Sequence, residues 1–394
     1  MLNIHRNSVF LLVLAVISLL GLGLVMLSST AGYARESGGD PATLLHKQIV
    51  WLFIGTIFCV AASMIHYTRL RQTWWVWFAL ATVLLALCYA PVIGREVNGS
   101  ARWLRLGTIS LQPSELGKLA VVITLAWWFS GGAQRGDETP AIPPEHTFLR
   151  GFFYPALVVG VIVALIAGEV DMGTTVLLGV TIFTMMFVAG VRLRFLLPIA
   201  LLGVGLLALF LSHSPEHRGR FLAFLWPQEY KADWYQQEQG LIALGSGGVS
   251  GFGLGFGRQK MNFLPFAHTD FILPVLGEEL GLPATLFVVL AFLVILLSGT
   301  VIAVRSRDRF GLLLGFGVVL LIALQAAINI GVTTGLMPNK GMPLPFLSYG
   351  GSNLVFCLLC VGILISIWRH GIGEKEEKAN VRLAARVHRR PTRI

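Results

Sequence analysis

The feature that most limits the fold is a succession of near-continuous apolar runs, each about twenty residues long, the length a helix needs to cross the hydrocarbon core of a bilayer. They occupy residues 8–28, 48–67, 74–93, 119–130, 152–167, 173–190, 196–212, 284–304, 310–330 and 346–368. The runs are too long and alternate too little for barrel strands, and in lipid only helices or a closed barrel satisfy the backbone. The fourth run is short and predicts a helix that takes its first turns from the residues just before it. With 55% hydrophobic and 13% charged residues and a mean hydropathy of +0.74, most of the surface must face lipid. The expected fold is an all-α integral membrane bundle of about ten transmembrane helices. It forms one domain over residues 1–368, with a basic cytoplasmic tail at 369–394.

A formal net charge of +10 raises the question of nucleic acid. The basic residues, however, are scattered over short loops and the tail, as the positive-inside rule requires of cytoplasmic segments, so nucleic acid is not an expected partner. Arg69 and Arg71, Arg192 and Arg194, and Arg305, Arg307 and Arg309 follow the second, sixth and eighth runs. That places both termini in the cytoplasm. The first run carries His5 and Arg6 on its flank, like a signal peptide, but it is long for one and is read as retained. The tail mixes Lys375, Lys378, Arg382, Arg386, Arg389 and Arg390 with Glu374, Glu376 and Glu377, which suits either a surface helix near anionic lipid heads or a solvated tail. Cys59, Cys88, Cys357 and Cys360 all sit in apolar helices and read as packing residues, with no disulfide expected.

The opposite side departs from the charge rule. After the third run come Arg95, Arg102, Arg105 and Lys118 against only Glu96 and Glu115. Grouped cations on that side point to an anionic ligand such as a phosphate or pyrophosphate. Four polar strings converge there. The first is Asn98-Gly99-Ser100-Ala101-Arg102-Trp103, followed by Gln112-Pro113-Ser114-Glu115-Leu116-Gly117-Lys118; Pro113 suits a first helical turn, with Glu115 and Lys118 three apart as an ion pair or a ligand site. The second is the turn Glu169-Val170-Asp171-Met172-Gly173, where Asp171 fits an N-cap. The third, Leu264 through Phe271 with His268, Thr269 and Asp270, leads into Gly277-Glu278-Glu279. Pro274, Gly277 and Gly281 predict that residues 271–283 enter the bilayer edge as a broken segment, with Asp270, Glu278 and Glu279 lining a cavity. The fourth places Gln325 and Asn329 one turn apart, ahead of the Pro- and Gly-rich stretch from Met337 to Ser352, which reads as a rigid re-entrant loop carrying Lys340. Between the seventh and eighth runs, residues 213–270 form the longest external loop; its glycines from Gly245 to Gly257 lack the strand and Gly-Lys-Ser/Thr ending of a nucleotide loop and predict a tight, backbone-exposing external loop.

These four strings, in this order, resemble the SEDS family, the bacterial membrane proteins typified by FtsW, RodA and SpoVE, over essentially the whole bundle. The stretch Pro338 to Phe346 and the pair Gln259-Lys260 are more similar to the FtsW and SpoVE branches. The resemblance implies a peptidoglycan glycosyltransferase that polymerises lipid II on the outer face of the bacterial cytoplasmic (inner) membrane during division or sporulation septum synthesis. It further implies a class B penicillin-binding transpeptidase as partner, alongside other divisome or sporulation membrane proteins. The family's catalytic acid falls on Asp270, its turn Asp on Asp171, and its Gln-Pro-Ser-Glu and Lys on Gln112 to Glu115 and on Lys118.

Such chemistry needs a base for the acceptor hydroxyl and cations for a leaving undecaprenyl pyrophosphate. Asp270 is the expected base, and Arg102, Lys118 and Lys340 are expected to hold pyrophosphate; a divalent cation, magnesium or manganese, is an alternative neutraliser. Glu115, Asp171, His268, Glu278 and Ser348 complete the set as supporting residues, His268 reading more readily as a packed histidine. Three positions depart from the family pattern: Phe266 stands where Glu is usual, Glu169-Val170-Asp171 replaces Gln-Pro-Asp, and Gln239-Gly240 replaces Gln-Ser. Two other readings compete. A lipid flippase or transporter would need polar groups continuing into the inner half of the bundle, which is almost wholly apolar. A non-catalytic scaffold for a partner synthase would have no use for Asp270, Asp171 and Lys118.

Overall fold

The computed structural model describes residues 2–31, 41–90, 94–97, 100–106, 109–132, 147–261 and 263–388. Asn98 and Gly99 of the first polar string and Arg389 and Arg390 of the tail lie outside the described residues, as do the side chains of Arg95, Glu96, Arg105 and residues 372–388. The helices are α1 (Leu2–Thr30), α2 (Pro41–Met64), α3 (Thr68–Gln72), α4 (Trp74–Cys88), α5 (Pro113–Trp127), α6 (Tyr154–Gly168), α7 (Met172–Val188), α8 (Leu193–His213), α9 (Pro215–Leu225), α10 (Lys231–Gly247), α11 (Ile272–Val304), α12 (Arg309–Thr333) and α13 (Gly351–His388). Each predicted apolar run falls on one of them.

By length and apolarity, 7 of these stretches suffice to cross a membrane, on α1, α2, α6, α8, α11, α12 and α13. The other three expected crossings are short: 15 residues in α4, 15 in α5 and 17 in α7. For α5 the reason is its place. Every side chain from Pro113 to Ala126 except Leu116 is buried, with α4, α6, α7, α12 and α13 packed around it. Enclosed by protein rather than lipid, such a helix can carry Glu115 and Lys118 inside it. As the short fourth run predicted, α5 begins earlier, at Pro113, where the missing N–H costs nothing. One contiguous apolar core runs from Leu12 to Ile367, and all four cysteines are free thiols.

Two features add detail to the helical bundle. Between α4 and α5 lies an antiparallel sheet of β1 (Gly94–Val97), β2 (Ser100–Leu106) and β3 (Ile109–Leu111), in that order. Side chains two apart on a strand share a face, so Arg102 points the same way as the buried Leu104. The long connection between α8 and α11 contains α9 and α10.

The predicted break is present. At Gly281 (φ 73°) α11 divides into a half-helix, 272–280, and a long span, and only glycine takes that backbone without strain. A break strands carbonyls that the helix would otherwise satisfy. The glycine run supplies the missing donors: Phe252 N–H bonds the Glu278 carbonyl at 3.0 Å and Gly253 N–H the Glu279 carbonyl at 2.9 Å, while Leu282 N–H donates to Gly248 at 3.0 Å. A Cβ on Gly251 would overlap the Glu279 carbonyl oxygen. Gly247 and Gly251 are therefore there for close backbone approach.

Candidate active site

The loop that carries Asp270 is fastened through its main chain. Phe266 takes a left-handed conformation (φ 54°), and its carbonyl accepts from Thr269 N–H at 3.1 Å and Phe271 N–H at 3.3 Å, closing a turn. The Ser348 hydroxyl donates to the Thr269 carbonyl at 2.6 Å, Tyr349 N–H to the His268 carbonyl at 3.0 Å, and the Asn329 amide to the Asp270 carbonyl at 2.8 Å. The same Asn329 amide donates to Met342 at 2.7 Å, so α12 ties the Asp270 loop to the Pro-rich loop. With its backbone so held, the Asp270 carboxylate is turned toward Gly341, close enough that a Cβ there would sit 2.8 Å from Oδ2.

Asp270 opens into a cavity of about 240 Å³ that it shares with Arg102, Asp171, Lys340, Glu216, His217, Arg220 and Gln236, with Trp103 and Phe266 also on its wall. Arg102 is held by main-chain carbonyls, its Nη2 donating to Val170 at 2.7 Å and its Nε to Glu169 at 3.4 Å. The left-handed Val170 (φ 63°) shapes the turn that presents those oxygens. Asp171 caps α7, accepting from Thr174 N–H at 3.2 Å and the Thr174 hydroxyl at 2.8 Å. Gln236 links the two loops: its amide donates to Pro265 at 3.1 Å, and its oxygen accepts from Asn339 at 2.9 Å.

Charge is crowded here. Burial pushes the Asp270 carboxyl up to about 6, a rise that His268 and Arg220 partly oppose. Burial, with Arg220 and Arg102 nearby, brings Lys340 down to about 8, and burial and the neighbouring Lys340 lower His217. Glu169, behind the Arg102 turn, is raised to about 7, chiefly by burial. A carboxylate near neutrality beside several cations can take a proton from a bound hydroxyl while the cations receive an anion. No group of three His, Cys, Asp or Glu among the described residues converges as a metal site. At the cavity, the Asp171 carboxylate is engaged by its Thr174 cap and that of Glu216 by Arg220.

Of the residues singled out from sequence, Asp270, Arg102, Asp171 and Lys340 meet at the cavity. The other five lie beneath or beside it. Lys118 does not reach it as expected: its ammonium bonds Glu115 at 2.9 Å and Gln325 at 2.8 Å, and lies 4.7 Å from the Phe356 ring centroid. Asn353 donates to both Glu115 oxygens at 3.3 Å, and the Gln325 amide to Pro343 at 2.9 Å, so the pair braces the Pro-rich loop from below. Glu278 and Glu279 do not line the cavity either. The Glu278 carboxylate accepts from Arg258 N–H at 2.8 Å and Gln259 N–H at 3.2 Å. Their charge is absorbed because the helix break turns them into the glycine loop. Ser348 is a loop brace, and His268, 8% exposed, is packed within the Asp270 loop.

Sequence reading missed α9, which brings Glu216, His217 and Arg220 to the cavity, with Glu216 and Arg220 paired at 2.7 Å. A signal was present: Ser214-Pro215-Glu216 is a helix start, and Glu216 and Arg220 have helical i,i+4 spacing.

Comparison with known proteins agrees with the geometry. The family model FTSW_RODA_SPOVE, described as cell cycle protein, matches residues 10–372. A probable peptidoglycan glycosyltransferase FtsW of Geobacter metallireducens is 36% identical over 93% of this chain and 95% of its own. One of Coxiella burnetii is 38% identical over 90% and 95%. Among solved structures, a chain of a peptidoglycan synthase complex that coordinates polymerization and crosslinking superposes with TM-score 0.73 at 27% identity, covering 92% of this chain and 97% of that one. The rod shape determining protein RodA of Thermus thermophilus gives 0.66 at 27%, covering 92% and 96%. This multi-pass membrane protein belongs to the FtsW, RodA and SpoVE family of cell cycle proteins.

Proposed function

We propose that the protein is a peptidoglycan glycosyltransferase that polymerises lipid II, with Asp270 as the base. The observation that carries this reading is the pairing, in one cavity, of a carboxylate raised toward neutrality with Arg102, Arg220 and Lys340. Asp270 removes the proton from the acceptor sugar hydroxyl as its oxygen bonds to the donor's anomeric carbon. The bond to pyrophosphate breaks, and its electron pair leaves on an anion that the three cations receive. A hydrogen-bonded base near neutral pKa contributes about 10²–10⁴ in rate.

The cavity then faces outward, and both termini lie in the cytoplasm. The named relatives support the activity, and the resemblance to a chain of a peptidoglycan synthase complex supports a crosslinking transpeptidase as partner. The FtsW-named relatives favour the division branch. The test is glycan-strand formation from lipid II by the purified protein, with and without a partner transpeptidase that has no polymerase activity of its own. Polymer that disappears with Asp270→Ala supports the proposal; undiminished polymer from that variant rejects it.

A further inference from the structure

Away from the cavity, a buried charged cluster has no part in the chemistry above. The Lys260 ammonium bonds the Glu279 carboxylate at 2.6 Å, the Ser29 hydroxyl at 2.6 Å and the Gly255 carbonyl at 2.8 Å. Glu279 also accepts from Ser29 at 2.8 Å and from Gly255 N–H at 2.9 Å. The ion-pair side chains are 1% and 0% exposed. Three separate elements meet in this cluster: the end of α1, the glycine loop and the half-helix of α11.

The half-helix is what makes the cluster matter. It runs from Ile272 to its break at Gly281, with Asp270 two residues before its start and Glu279 near its end. At 1.5 Å per residue it is a lever about 13 Å long, so tilting the Glu279 end by about ten degrees displaces the other end by about 2 Å. A misplacement of about 1 Å can cost about 100-fold in rate when groups must meet in a near-attack geometry. Main-chain bonds to Asn329 and Ser348 hold the Asp270 end. Because the helix is broken at Gly281, the long span of α11 cannot hold the other end by backbone continuity. Side chains and the glycine loop must do it.

We propose that the Lys260–Glu279–Ser29 cluster is a latch that sets the attitude of the half-helix and so the position of the Asp270 carboxylate, making Lys260 and Ser29 positioning residues for the reaction. The proposal rests on Asp270 acting as the base. Two variants test it. Lys260→Met with Glu279→Leu removes both charges together and leaves no lone buried ion; Ser29→Ala cuts only the tie to α1. Each is assayed in the full-length protein for lipid II polymerisation, thermal midpoint and amide hydrogen exchange across residues 268–280. The expected result for the double variant is a kcat lowered at least 10-fold with KM within twofold, and for Ser29→Ala a fall of about threefold, with an unchanged midpoint and faster exchange in 268–280. Wild-type kcat and wild-type exchange in either folded variant would overturn the latch. If the double variant does not fold, Ser29→Ala decides alone. Should the wild-type protein make no polymer, the polymerase reading fails, and the exchange comparison still tells whether the latch orders the half-helix.

Discussion

Two groups of charges lie at the same end of the bundle and behave in opposite ways. Beneath the cavity, Lys118 is saturated by Glu115, Gln325 and a ring face, and beside it Lys260 by Glu279, Ser29 and a carbonyl. In the cavity, among the described residues, no donor reaches the Asp270 carboxylate and no acceptor the Lys340 ammonium, and both are displaced toward neutrality. Buried charges that satisfy one another fix how the elements they join are set, whereas charges held apart by their backbones are available to a ligand.

The sharpest way to break this comparison is to exchange the treatment of two lysines. Lys118→Met leaves Glu115 buried without its cation, a loss of about 3–5 kcal/mol, read as a lower thermal midpoint. Lys340→Met leaves the midpoint within about 0.5 kcal/mol of wild type and lowers the polymerisation rate by about 100-fold. Equal effects on stability would erase the distinction. Arg220→Gln sharpens it by asking whether α9 belongs to the site; a rate loss of about 10-fold with weaker salt dependence is expected from the kinetics.

Smaller effects probe Asp270 itself. Gly341→Ala brings a methyl group against its carboxylate, so kcat should fall several-fold while the midpoint holds. The pH dependence has a definite sign. A carboxyl raised from 3.8 to about 6 binds its proton more tightly when folded. Its contribution to stability is therefore present below the unfolded value and lost as pH rises through the folded one. Asp270→Asn should melt above wild type at pH 7.5, and the gap should close below pH 4. In the wild type, activity should fall on the acid side of about pH 6, as Asp270 protonates.

How legible these features were in sequence follows the solvent. Lipid allows few polar residues, so Asp270, Arg102, Asp171 and Lys340 stood out against apolar runs, and Pro274, Gly277 and Gly281 gave away the broken segment. Lys118 and Glu278 stood out equally but lay elsewhere. Which charges in a crowded region pair with one another depends on main-chain paths such as the break at Gly281 and the docking of Gly247 to Gly257, and no local pattern encodes that. The residues of α9 went unread because its charged first half lies outside the apolar runs, leaving Glu216, His217 and Arg220 no contrast to stand against. The small sheet was hidden for a related reason: Ser100–Leu106 is one short strand whose partners, β1 and β3, are only four and three residues long.

The proposed role of Asp270 is tested by single-turnover polymerisation of lipid II by Asp270→Asn, an isosteric change that removes only the ionisable carboxylate from the cavity. The expected result is a rate lowered about 10³-fold with lipid II affinity retained and the thermal midpoint at or above that of wild type. A rate within tenfold of wild type would contradict it.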